Sequence, residues 1–373
     1  MHSVSLHYTL SHRDDTAPPS ATESTLLRHP LMALLQAVAQ QGSISAAARQ
    51  LNLSYRHVWG ELKRWEEVLG HELVIWEKGQ SAKLTEFGDK LMWAERQTQA
   101  RLAPQLQALR ADLERTFAVA FDPEAHVLTL YASHDDALPR LREQAASAGL
   151  HLDIRFCGSV DAIRALNEGR CTLAGFHTQS APADTSHTAK AYKDLLQPGL
   201  HKIIGFATRS QGLITAAGNP LQLHSLADVA RTQARFVQRS PGTGTRVLLD
   251  DLLAQAQLST QDLNNWPDEE PSHTALAEAI ASGRCDVGLG IESTARARGL
   301  GFVPLVHEQF HLVCLKSALD TPATLALREF LHNEAWVQAL NALPGYQTHH
   351  GGEVQSLNQR LPWWTFQRAK KSR

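Results

Sequence analysis

Apolar residues alternate with polar ones at Val4, Leu6, Tyr8 and Leu10, a period of two that predicts a short half-buried strand. The polar run SHRDDTAPPSATES follows, so residues 1–25 read as an N-terminal arm. From about Leu26 to Leu69 the apolar spacing becomes helical, and LVIWEKGQSAKLT reads as two short strands around a turn at Gly79. These elements form one predicted unit over 26–88. Beyond it, Leu102, Leu106, Leu109 and Leu113 recur at helical spacing and predict a linker helix over 89–120 with a seam for another helix. Pro104 lies inside that seam and marks either a kink or a junction between two shorter helices.

After Asp122 the texture changes. HVLTLYAS, HLDIRFCG, CTLAGFHT, KIIGFAT, ARFVQR, DVGLGI and EQFHLVCLK read as strands, with helical stretches between them at Asp136–Ser147 and Ser159–Glu168. Such alternation predicts an α/β unit over 126–345, with a mainly parallel sheet covered by helices. The tail over 346–373 closes on RLPWWTFQRAKKSR, which reads as packed or frayed rather than as a binding segment.

Composition narrows the classes. At 373 residues the chain exceeds the ~250–300 at which single cores stop growing, so two or three domains are expected. Its 43% apolar and 20% charged residues suit a globular protein. Lys plus Arg (36) nearly balance Asp plus Glu (38), so a nucleic-acid surface has to be a local patch. Cys157, Cys171, Cys285 and Cys314 form no CxxC pair and read as buried unpaired thiols rather than a zinc site or disulfide framework. Neither a signal peptide nor a membrane-length apolar run is present, which predicts a cytoplasmic protein without membrane contact. The 19 histidines include one HExxH spacing, His307–His311, but it runs into the predicted strand EQFHLVCLK, where no shared helix face forms; neither GxSxG nor GxGxxG occurs, and an enzyme is not expected.

The stretch GSISAAARQLNLSYRHVWGELKRWEEVLG carries the first chemistry. Ser43 or Ser45 caps one helix, Asn52 and Leu53 make a turn, and Ser54 caps the next helix. On that second helix Val58, Leu62, Trp65 and Leu69 share a stripe, whereas Arg56, Gly60 and Lys63 lie opposite and Trp59 sits at the margin. Gly60 lowers helix propensity yet lets something large approach the backbone. A helix-turn-helix presents the start of its second helix to base edges, so Tyr55, Arg56, Trp59 and Lys63 are the expected readers, with Ser43 and Ser54 beside them. Lys78 and Lys83 flank the hairpin and are placed to touch phosphates of double-stranded DNA. Residues from about Leu31 to Trp93 resemble the winged helix-turn-helix of LysR-type and molybdate-responsive regulators, and KLTEFGDKL is similar to the wing exit of both. The resemblance implies a homodimer on two half-sites, with pairing of dimers into tetramers left open.

The second chemistry lies in RFVQRSPGTGTRVLLDDLL. A strand leads into Ser240, Gly242, Thr243, Gly244 and Thr245, and then into an amphipathic helix whose first N–H groups make an anion site. LYASHDD places Ser133 and His134 at another strand end, and FCGSVDA places Ser159 at a third. Neutral donors converging in this way suit an ionised oxyanion. PGTGT lacks the Gly-Lys-Ser/Thr ending of a nucleotide loop. From about Val127 to Leu343 the chain resembles periplasmic-binding-protein-like domains, on GSVDAIRALNEGRCTLAGFH, SLADVARTQARFVQRSPGTGTRVLLD and SHTALAEAIASGRCDVGLGI. That implies two lobes, with Ser133 and Ser159 facing Ser240–Thr245 across a cleft. In molybdate-binding relatives a tyrosine completes the site; here Phe310 stands in its place. Arg239, Arg246 and His273 are candidates to compensate, with salt bridges and helix capping as their structural alternatives.

The expected architecture is therefore multidomain: an all-α winged helix-turn-helix with a linker helix, followed by a two-lobed α/β periplasmic-binding-protein-like fold. The expected function is a one-component transcription factor with no covalent cofactor, sensing molybdate or tungstate. The alternatives are a LysR-type regulator sensing an organic anion, and a molybdenum-cofactor enzyme or carrier that uses its helix-turn-helix for docking.

Overall fold

The computed structural model describes residues 29–76, 81–121, 125–180 and 182–364. The strand expected at residues 4–10, the turn with Lys78 and Gly79, and the tail from residue 365 lie outside them. The chain divides into two compact units, Met1–Gln99 and Ala100–Arg373.

The first unit holds α1 (Pro30–Gln41), α2 (Ile44–Gln50) and α3 (Tyr55–Leu69), then β1 (Val74–Ile75) paired antiparallel with β2 (Lys83–Leu84). Each helix boundary has a local cause. Gly42 closes α1 in the left-handed region, and Ser43 at once caps α2 by accepting the Ala46 N–H. Asn52, at φ 54°, makes the turn, and Ser54 accepts the His57 N–H to begin α3. The apolar stripe works as its spacing requires: Leu35, Val38, Ala47, Val58, Leu62 and Leu73 form a dry core. Glu66 ties α3 to β1 by accepting the Leu73 N–H (2.9 Å) and the Val74 N–H (3.3 Å).

One helix, α4, then runs from Glu86 to Phe121 through Pro104. The proline marks no junction between two helices. Of the leucine seam, Leu109 and Leu113 are exposed, as is Phe117 one turn further on.

In the second unit, β3 (His126–Ala132), α5 (Ala137–Ala146), β4 (Leu150–Phe156), α6 (Ser159–Asn167), β5 (Leu173–Gln179) and α7 (His187–Tyr192) build the first lobe, up to the long strand β6 (His201–Thr215). The second lobe follows with α8 (Leu226–Thr232), β7 (Arg235–Arg239), α9 (Gly244–Gln255), β8 (Asn264–Glu270), α10 (His273–Ala281), β9 (Val287–Ile291) and α11 (Glu292–Arg296). A second long strand, β10 (Gly301–Leu315), leads to α12 (Pro322–Phe330), α13 (Glu334–Asn341), β11 (Tyr346–Thr348), β12 (Val354–Ser356) and α14 (Leu357–Arg360).

The main strand order is β4-β3-β5-β10-β6-β9-β7-β8. Parallel pairing is confined to the wings, β4-β3-β5 and β9-β7-β8. Between them β6 and β10 pair antiparallel along nearly their whole lengths, which corrects the expectation of a mainly parallel sheet. Each long strand threads both lobes in the opposite sense to the other, so the waist has to be antiparallel. Leu128, Leu130, Phe206, Phe310 and Trp336 pack within the first lobe, and Leu213, Phe236, Leu253 and Leu289 within the second.

The tail is packed as far as residue 364: β11 and β12 both pair with β6, and the Trp363 indole donates to the Pro182 carbonyl. The long strands also approach too closely for a side chain at Gly212, where a Cβ would lie 2.0 Å from the Val303 oxygen. Gly212→Ala is therefore expected to cost about 1–3 kcal/mol, read as a lowered midpoint in urea; an unchanged midpoint contradicts the close crossing.

Candidate DNA-reading and effector sites

On α3 the outward residues make a surface of aromatic rings and charge. Tyr55 is 46% exposed and stacks on Trp59 at 6.4 Å, and Trp59 meets the edge of Trp76, 54% exposed, at 6.2 Å. Lys63 lies over the Trp59 ring (5.1 Å) and pairs with Glu66 (2.6 Å). Arg56 is exposed, and nothing lies within 4 Å of the position a Cβ would take at Gly60. Lys83 is exposed on β2. Ser43 and Ser54 spend their hydroxyls on capping. Trp76 is an addition to the expected set; its only trace in the sequence is an aromatic residue ending a strand before a turn.

In the second unit the expected strand ends converge. β3 delivers Ser133, His134 and Asp135, Ser159 begins α6, and β7 delivers Arg239 and the loop to Thr245. The Ser133 and Ser159 hydroxyls are 3.0 Å apart and buried. Across from them, a Cβ on Gly244 would stand 3.0 Å from His177 Nδ1 and 3.3 Å from Ser159 Oγ. Only glycine lets the start of α9 come this near the first lobe. The lobes also meet at Gly242, whose carbonyl accepts the Val160 N–H (3.4 Å). Thr245 Oγ1 lies 3.4 Å from His273 Nε2 and accepts from Gln211 (3.1 Å).

Other expected residues have structural work. Thr243 caps α9 and donates its hydroxyl to the Ser240 carbonyl (2.8 Å). Arg246 pairs with Glu269 (3.2 Å) and Asp250 (3.7 Å), the structural bridge that is its alternative to a site contact. The cap of α10 is Ser272, not His273. Arg239 donates to the Glu270 and Pro271 carbonyls (3.1 and 2.9 Å). Phe310 is buried with its ring 4.1 Å from that of His177, and the tyrosine near the serines is Tyr192, whose buried hydroxyl has no hydrogen-bond partner among the described residues and whose pKa burial pushes up.

Several buried polar atoms here have no hydrogen-bond partner: Nδ1 of His134, both nitrogens of His177, Nδ1 of His273 and Nη1 of Arg239. Leaving a buried polar atom unpaired costs about 1–3 kcal/mol, so these atoms are unfavourable as they stand and open to a hydrogen-bonding occupant. Burial, then Arg209 and Arg239, hold His177 well below the usual imidazole range, and burial followed by Arg239 does the same for His273. Burial outweighs the opposing pull of Asp136 and lowers His134 to about 4. Burial and the neighbouring Arg209 lower Arg239 itself to about 9. Of the residues sequence reasoning missed, Asp135 lies in the loop after β3, beside the Ser133 and His134 it did pick out, and His177, Tyr192, Arg209, Gln211 and Glu308 lie inside strands or at a helix end without any motif.

The neutral histidines set a pH dependence. A folded pKa below the unfolded one means that stability is complete above about pH 6.5 and is lost as pH falls toward the folded value. For His134 the loss reaches roughly 2 kcal/mol by pH 5. Urea midpoints should therefore fall between pH 7 and 5, and His134→Gln should flatten that fall; a variant as pH-sensitive as the parent would exclude His134 as a source.

Residues 141–332 match the PBP superfamily domain, and residues 30–89 match the bacterial regulatory helix-turn-helix protein, lysR family. An uncharacterized protein of Bacillus subtilis (strain 168), YvgK, is 27% identical over 234 residues, 62% of this chain and 75% of its own. The molybdate-binding protein ModA of Mycobacterium tuberculosis is 31% identical over 170 residues, 44% of this chain and 59% of its own. Among solved structures, full-length BenM has a TM-score of 0.41 at 16% identity, covering 81% of this chain and 95% of that one. Full-length CbnR complexed with its target DNA has 0.39 at 16%, covering 83% and 99%. The superfamily match spans more than half of the chain and follows a matched lysR-family helix-turn-helix, so the chain belongs to the PBP superfamily.

Proposed function

We propose that the effector is a small tetrahedral oxyanion, molybdate or tungstate, held between the lobes by Ser133, Ser159 and the Gly244–Thr245 start of α9, with His273 alongside. The observation that carries this reading is the buried pair of serine hydroxyls, 3.0 Å apart, facing a helix N-terminus among unpartnered neutral imidazoles. Hydroxyl and backbone hydrogens satisfy an ionised anion without a buried acidic neighbour being required. The partial likeness to a molybdate-binding protein points the same way. On this reading the protein works in the cytoplasm as a homodimer or tetramer. The exposed Leu109 and Leu113 support pairing through α4. Tyr55, Arg56, Trp59 and Lys63 read bases, while Lys78 and Lys83 contact phosphate. An anion that binds one arrangement of the lobes better than another shifts DNA affinity by the same coupling factor that DNA exerts on the anion.

A second reading, an organic anion, is favoured by one observation, the unpaired Arg239 nitrogen beside a cavity larger than a tetrahedral anion needs. Calorimetric titration of the full-length protein with molybdate, tungstate, sulfate and malate separates the two: heat with malate alone overturns the oxyanion. Ser133→Ala is expected to weaken molybdate binding at least tenfold and leave effector-free DNA binding unchanged; equal molybdate affinity removes Ser133 from the site. Arg56→Ala should weaken binding to the specific operator by about 1–3 kcal/mol, measured against random DNA, and an equal loss on both makes Arg56 a phosphate contact.

A further inference from the structure

The start of α3 presents rings where hydrogen-bonding side chains would be the usual means of telling bases apart. Tyr55 and Trp59, one turn apart, stack with their planes 9° from parallel, and Trp76, which follows β1, meets Trp59 at 71°. Trp59 is half-buried against the core of the head, while Tyr55 and Trp76 are exposed. The three rings therefore form one ledge, anchored in the middle and open at both ends. Its rim is cationic: Arg56 is exposed, Lys63 lies over Trp59, Lys83 is exposed on β2, and the first turn of α3 holds no acidic residue. Gly60 adds open space on the same helix. An apolar ledge with a cationic rim fits a polyanion that carries apolar groups between its charges.

We propose that this ledge selects thymine in duplex DNA by its 5-methyl group, with Trp76 as a specificity-determining residue. Along the major-groove edge the bases offer hydrogen-bond donors and acceptors, and the thymine methyl is the apolar exception. A ring laid on the N7, O6 or amino group of another base takes water from it and returns no hydrogen bond, which is unfavourable. A methyl under the same ring gains from the contact. Preference for thymine thus comes from what the rings cannot do for the other bases as much as from what they offer this one. Trp76 comes from the hairpin and Tyr55 and Trp59 from the helix, so one thymine is chosen by two elements together.

This inference rests on the base-reading role proposed above for α3 and adds the base and the group that are read. An operator selected from random duplexes by the full-length protein is expected to hold a thymine in each half-site whose replacement by deoxyuridine, which removes only the methyl, weakens binding about three- to fivefold at fixed salt. Trp76→Ala should bind the thymine and uracil duplexes equally, and Trp76→Phe should restore part of the difference. Binding with no sensitivity to methyl removal at any thymine, or a Trp76→Ala protein that keeps the parent's full preference, overturns the inference and leaves DNA binding itself intact. Absence of binding to any duplex defeats the base-reading role together with it. If Trp76→Ala instead turns a dimer into a monomer in sedimentation, the ledge is a contact between copies and the inference falls.

Discussion

A guanidinium sealed from water between two carboxylates governs the architecture of the ligand-binding unit. Arg209 on β6 pairs with Asp135, at the end of β3, and with Glu308 on β10, all three buried. Burial opposes the charge on Arg209, but Glu308 and Asp135 outweigh it and raise its pKa. Burial pushes both carboxyls up against the pull of the arginine. Removing one member of such a group strands the others and costs about 3–5 kcal/mol. Both carboxylates accept further hydrogen bonds: Asp135 from Tyr346 (2.8 Å) and Ala137 (2.8 Å), and Glu308 from Gln211 (2.7 Å). Gln211 also reaches Thr245, so one network joins the first-lobe loop, both long strands and the start of α9.

Burial, reinforced by that arginine, explains why histidines line the cleft without charging it. Arg209 and Arg239 together place positive potential on His134, His177 and His273. Imidazoles in that field stay neutral and keep one N–H each to donate. On the proposed reading the cleft receives an anion through fixed cations and neutral donors, and protons play little part near neutral pH.

Much of this was legible in the residues themselves. The capped helices of the head follow from Ser43, Asn52 and Ser54, whose local hydrogen bonds need no tertiary help. The parallel wings follow from short apolar runs ending in Ser133, Ser159 and Arg239. What stayed hidden depended on distant partners. β8, spelled NNWPDEE, is too polar and proline-bearing to read as a strand; it survives as an edge beside β7. The second half of β6, RSQGLIT, falls outside the run KIIGFAT that reads as a strand, because its Arg209 and Gln211 are buried only by virtue of Asp135 and Glu308. His177 and Tyr192 carry no motif, since each acquires meaning only when another strand or helix is laid against it.

Gly158 and Gly242 face each other where the lobes meet, and a Cβ on Gly158 would stand 2.8 Å from the Gly242 oxygen. Jaws that touch through bare main chain have a stop that no rotamer can soften. On the proposed reading they act as a caliper, because no side chain at that stop can yield to a guest slightly too large. Discrimination by size is in this way written into peptide geometry.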